Sequence, residues 1–175
     1  MEFVTDPAVI EALYGPVDGD EDRPRRHSRL EPQHVDFLAA ATMSVVATVG
    51  RGGLTCSPRG GPAGTAAVVH DPRVLWVPDV ERGRIHQTVR TLMDDPRVGL
   101  VVLVPGRYES LRVQGTARVT TDPDALAVVS TRGVQARSLL VVDIDEVRLT
   151  GRGPLERAGV WDHPPDAAAL GGQPV

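Results

Sequence analysis

The sequence predicts a mainly β fold, an antiparallel barrel of about six strands with helices over its ends or edges. Three observations predict it. Short β-branched, apolar runs recur from Met43 to Thr150. About six such runs are present, and turn residues interrupt them about every 8 to 12 positions, a spacing that suggests a barrel rather than a βαβ sheet.

The elements follow in order. Asp6 to Tyr14 reads as a short helix, with Asp6 as N-cap and Pro7 at the first helical position. Gly15 to Arg29 is acidic, then basic, and broken by Pro and Gly, which predicts a linker. Glu31 to Ala41 carries Val35, Leu38 and Ala39 at i, i+3 and i+4, the spacing of a helix with one apolar face. Met43 to Val49 and Leu54 to Pro58 flank a Gly-rich turn and predict a hairpin. Thr65 to His70 and Val74 to Pro78 predict a second hairpin around Asp71-Pro72. Arg84 to Met93 reads as a helix ending before Pro96. Strands are then expected at Val98 to Val104, Ser110 to Thr121 and Leu139 to Thr150. A helix capped near Asp122 is expected over Asp122 to Val129.

Length and composition bound the function. The 175 residues suit one domain, and 41% hydrophobic residues can build an ordinary core. Three segments are expected: an N-terminal helix and linker over 1–30, the folded domain over 31–164, and a tail over 165–175. A net charge of −4 offers no general attraction to nucleic acid or anionic lipid. All 19 basic residues are Arg, so Schiff-base lysine chemistry and a P-loop lysine are excluded. One cysteine, Cys56, excludes an intrachain disulfide and a multi-cysteine zinc site. No apolar run reaches 18 residues and no signal peptide pattern opens the chain, so no membrane partner and a cytoplasmic location are expected.

Three constellations could carry chemistry. Cys56-Ser57-Pro58-Arg59-Gly60-Gly61 offers a hydroxyl and a planar guanidinium suited to phosphate oxygens, and reads equally as a solvated surface turn. Glu81-Arg82-Gly83-Arg84 leads into a helix start, a natural anion site, although Arg-rich loops are common in a chain without Lys. In Glu109 to Gly115, alternation sets Ser110, Arg112 and Gln114 on one face and Leu111 and Val113 on the other. The polar face lines a ligand groove or is the wet side of the sheet. The five histidines show no metal-ligand spacing, and Ser57 lies in no GxSxG elbow. Cys56 is expected as an inert core thiol. No side chain stands out as a catalytic acid or base; His86 and His163 are the weak candidates.

The order SPRGGPAG, VLWVPD, an Arg-bearing helix closed by DDPRVGLVVLVPG, ESLRVQGTARV and GVWD resembles the pyridoxamine 5'-phosphate oxidase-like family. The likeness is closest to its bacterial branch that reads SPRG, NPxVGLLFLIPG, ETLRVNG and LWDP, and it covers about Leu38 to Pro164. It implies a six-stranded antiparallel split β-barrel, a homodimer, and FMN held between subunits for oxidation or reduction of a small molecule. By the same resemblance Ser57, Arg59 and Arg84 hold the phosphate end. Trp76, Pro78 and Asp79 lie on the strand along the isoalloxazine edge. Ser110 and Arg112 reach the cofactor from the partner subunit, and Trp161 walls the ring. Ile85 stands where the branch carries an arginine. The Lys and Tyr of the true oxidases have no counterpart, which argues against pyridoxamine phosphate oxidation itself. Two further readings belong to the same resemblance: a flavin-binding or sensing protein without turnover, and an F420-dependent reductase using Arg82 and Arg90.

Overall fold

A computed structural model of the chain describes residues 3–15, 25–80 and 87–162. Helix α1 spans Pro7–Tyr14, with the Asp6 carboxylate accepting from the Ala8 N–H at 2.9 Å. None of its residues is buried.

Helix α2, Pro32–Ala40, turns a different face inward than the i, i+3, i+4 pattern predicts. His34, Phe37 and Leu38 are buried, whereas Val35 and Ala39 are exposed. Phe37 offers more apolar surface to bury than Val35 does, and the helix rolls to bring it inward.

Among the described residues seven strands form one sheet: β1 (Met43–Gly50), β2 (Gly53–Gly60), β3 (Val68–Asp71), β4 (Val74–Asp79), β5 (Arg97–Leu103), β6 (Ser110–Thr120) and β7 (Ser138–Thr150). Their order is β2-β1-β5-β6-β7-β4-β3, with every neighbouring pair antiparallel. This is the antiparallel split barrel, with seven strands rather than six. The first predicted strand of the second hairpin starts later than expected, at Val68, and survives as a four-residue edge. Strands β2 and β3 end the order, so the barrel is not closed by a ladder between them.

Alternation decides which side chains meet inside. Val46, Leu75, Val77, Leu100, Val102, Leu111, Val113, Leu140 and Val142 come from five strands and share one buried cluster with Phe37 and Leu38 of α2. A flat sheet could not bring β1 and β4 into one interior; curling does. A second, smaller cluster of Val68, Val129, Val134 and Leu139 lies with Trp76 under helix α4, Pro123–Ser130. Asp122 caps α4 through the N–H groups of Asp124 and Ala125.

Helix α3 is described over Gln87–Asp94; its expected first turn from Arg84 lies outside the described residues. A further helix, α5, covers Gly153–Arg157, a stretch for which the sequence predicts no element. Among the described residues no helix is long and apolar enough to cross a membrane.

Candidate functional site

The β1–β2 hairpin positions the site. Its register sets Ser44 opposite Arg59, Val46 opposite Ser57 and Thr48 opposite Thr55. Ser57 and Arg59 therefore share the inward face of the edge strand, while Cys56 and Pro58 point outward. Cys56 is exposed, not the core thiol the sequence suggested, because among the described residues nothing packs on the outer side of the edge strand to bury it.

Arg59 is the one buried residue of β2. Its Nη2 donates to Thr88 Oγ1 at 3.1 Å and lies 3.3 Å from Asp79 Oδ1, at the end of β4. Thr88 Oγ1 in turn donates to Ser57 Oγ at 3.4 Å. Two hydroxyls, a guanidinium and a carboxylate thus converge from β2, β4 and the first described turn of α3.

A hydroxyl ladder holds that turn in place. Thr91 Oγ1 donates to the carbonyls of Gln87 and Thr88 at 3.0 and 2.9 Å. With its proton committed there, Thr91 accepts from Thr48 at 2.6 Å, and Thr48 accepts from Thr55 at 2.9 Å. The chain of donors runs one way, from β2 through β1 into α3, and ties the helix to the strands that carry Ser57 and Arg59.

Of the predicted site residues that are described, Ser57, Arg59 and Asp79 come together, and the others lie elsewhere. Trp76 is on the opposite face of β4, stacked on His70 with ring centroids 4.2 Å apart and 15° between planes. Pro78 pairs with Leu139 of the second cluster. Ser110 is buried at the start of β6, and Arg112 and Gln114 are exposed on the outer face while Leu111 and Val113 face the core, as alternation predicts. Arg112 sits across from Val101 on one side and Arg148 on the other. Trp161 donates through Nε1 to the Arg107 carbonyl at 2.8 Å, beside the β5–β6 loop. Arg82, Arg84, Ile85, His86 and His163 lie outside the described residues. Arg90 is exposed and lines an open cavity of about 380 Å³ with Gln87 and Asp94.

Thr88 is the cluster member that sequence reasoning left out of the site. Its position at a helix start beside an Arg-rich loop was visible. Its reach to Ser57, 31 residues earlier, depends on where α3 docks. The outer face of the sheet carries a second, wider depression of about 550 Å³, lined by Ala47, Val49 and Leu54 of the hairpin and by Arg97, Gly99 and Gln114. Among the described residues no three His, Cys, Asp or Glu side chains are grouped so as to hold a metal ion.

Comparison with known proteins places this arrangement. HupZ of Group A Streptococcus superposes with a TM-score of 0.54 at 17% identity, covering 67% of this chain and 92% of its own. A pyridoxamine 5'-phosphate oxidase-like protein of Lactobacillus delbrueckii gives 0.52 at 23% identity, covering 69% and 94%. One from Listeria innocua gives 0.51 at 12%, covering 67% and 94%. At these identities the likeness is one of fold. No curated protein matches the chain. The family profile described as pyridoxamine 5'-phosphate oxidase matches residues 30–151. That span takes in all seven strands and the residues that converge on Arg59, and the chain belongs to the pyridoxamine 5'-phosphate oxidase family.

Proposed function

We propose that this protein binds FMN as a homodimer and uses it to oxidise or reduce a small molecule. The observation that carries the reading is the convergence of Ser57, Arg59 and Thr88 at the junction of β2 and α3. A planar guanidinium flanked by two hydroxyls suits the oxygens of a phosphate monoester. Family membership supports a flavin as the molecule that bears the phosphate.

Within that reading each residue has a task. Arg59 neutralises phosphate charge, and its burial makes the contact stronger than a solvated pair would be. Ser57 and Thr88 complete the phosphate's hydrogen bonds. The threonine ladder holds α3 at a fixed distance from β2, so the two hydroxyls need no rearrangement on binding. The partner subunit's Arg112, exposed on the outer sheet face, supplies a further positive charge across the interface. When bound, FMN supplies the two-electron chemistry, and the protein's contribution is to hold and orient it.

The test is a titration of the purified protein with FMN. The wild type is expected to be yellow and to release FMN on denaturation. Arg59→Ala is expected to weaken FMN binding by roughly 1.5–3 kcal/mol, the loss of a charge-assisted hydrogen bond with Asp79 left without this partner. Unchanged affinity would remove Arg59 from the site. Steady NAD(P)H oxidation with an added acceptor distinguishes an enzyme from a flavin carrier.

A further inference from the structure

Asp79 stands in the phosphate-facing cluster with the wrong charge for it. Its side chain is 11% exposed and that of Arg59 is 5% exposed, with Oδ1 and Nη2 3.3 Å apart. Its position is set by the backbone: the Asp79 carbonyl accepts from the Arg137 N–H at 2.9 Å, and the residue pairs with Ser138 of β7 at the end of the ladder. The backbone that carries the carboxylate is thus fixed in the sheet, and the side chain is buried beside Arg59.

Resting on the flavin reading above, we propose that Asp79 is not a cofactor ligand but a built-in competitor for Arg59, and that it sets how loosely the site holds the phosphate. A phosphate monoester brings about −1.5 to −2 charge to a guanidinium already facing a carboxylate. In a site this secluded, repulsion between the two anions is only weakly screened. Asp79 subtracts from the attraction that Arg59 exerts on phosphate and leaves the neutral contacts to the ring and ribityl chain untouched. The site therefore recognises a flavin more by its neutral parts than by its phosphate, and the cofactor exchanges.

Riboflavin isolates the effect, since it keeps the ring and ribityl chain of FMN and lacks the phosphate. Wild-type protein is titrated with both, following flavin fluorescence, and the titrations are repeated with Asp79→Asn, which keeps an acceptor toward Arg59 and loses the charge. In the wild type, FMN is expected to bind less than about tenfold more tightly than riboflavin. In D79N, FMN affinity is expected to rise by about tenfold or more, with riboflavin affinity within about twofold of wild type. A merely structural role for Asp79 would weaken both ligands together, and that result overturns the proposal. If D79N does not fold, the wild-type ratio decides. FMN preferred over riboflavin by about a hundredfold would overturn the competitor role and leave the flavin reading standing. A wild-type protein that takes up neither flavin overturns both.

Discussion

Gly115 has no room for a side chain. It sits at the bulge where the β6–β7 register shifts, and a methyl group there would run into the Asp143 carbonyl oxygen and press on its carbonyl carbon. Backbone cannot yield as a flexible side chain can, so Gly115→Ala is expected to cost about 1–3 kcal/mol of stability, read from denaturant melts. A variant as stable as wild type would show that the bulge relaxes freely. Thr88 is the complementary case, a residue whose loss should spare the fold more than the site. Thr88→Val removes the hydroxyl that links Arg59 to Ser57, and FMN affinity is expected to fall by about 1 kcal/mol in the same titration as for R59A. Gly115 carries no local signature of its role, and Thr88 shows locally only its place beside an Arg-rich loop. Each acts on a residue distant in sequence.

Helix α2 shows how an element couples to conditions. His34 is buried, its Nδ1 accepts from the Glu31 N–H at 3.1 Å, and its Nε2 has no hydrogen-bond partner among the described residues. The His27 ring lies 5.2 Å away, edge-on, on the segment that pairs with Val147 of β7. Burial first, and His27 second, hold the His34 imidazole below its ordinary value, against an opposing pull from Glu31. The unfolded chain therefore takes up a proton on His34 before the folded protein does. Stability from this residue is full above about pH 6.5 and is lost as pH falls toward the lower folded value. The melting temperature is expected to drop from pH 7.5 to 5.5, and to drop less in His34→Gln. Equal slopes would remove His34 from the acid response. Protonation would also cancel the Nδ1 acceptor that caps α2, so the loss should start at that helix and the His27 strand.

At the scale of the molecule, the outer face of the sheet is the unfinished surface. Leu54, 80% exposed, lines the depression where Arg97 and Gln114 lie, and Val101, 37% exposed, follows two residues after Gly99 of its lining on β5. If this face meets a second copy, as the homodimer reading requires, a carboxylate in place of an apolar side chain at its centre should weaken the contact. Val101 pairs with Val45 and Arg112, so Val101→Glu places a carboxylate in the middle of the strip. The wild type is expected to run as a dimer in light scattering and V101E as a monomer with weakened FMN binding. A dimer that survives V101E unchanged would move the interface elsewhere.

Much of this protein was legible before folding. The alternation of Leu111 and Val113 against Arg112 and Gln114, the hairpin around Gly50 to Gly53, and the caps at Asp6 and Asp122 are local, and local stereochemistry decides them. Ordered motifs likewise named the family. The rest depended on the curl of the sheet. Only packing could decide that Phe37 rather than Val35 enters the core, that Cys56 sits on an open edge, that Trp76 stacks on His70 away from Arg59, and that Thr88 and Asp79 meet Arg59. Sequence periodicity reports which side of a strand or helix a residue lies on, but which other element faces that side is set by the competition of all elements for one interior.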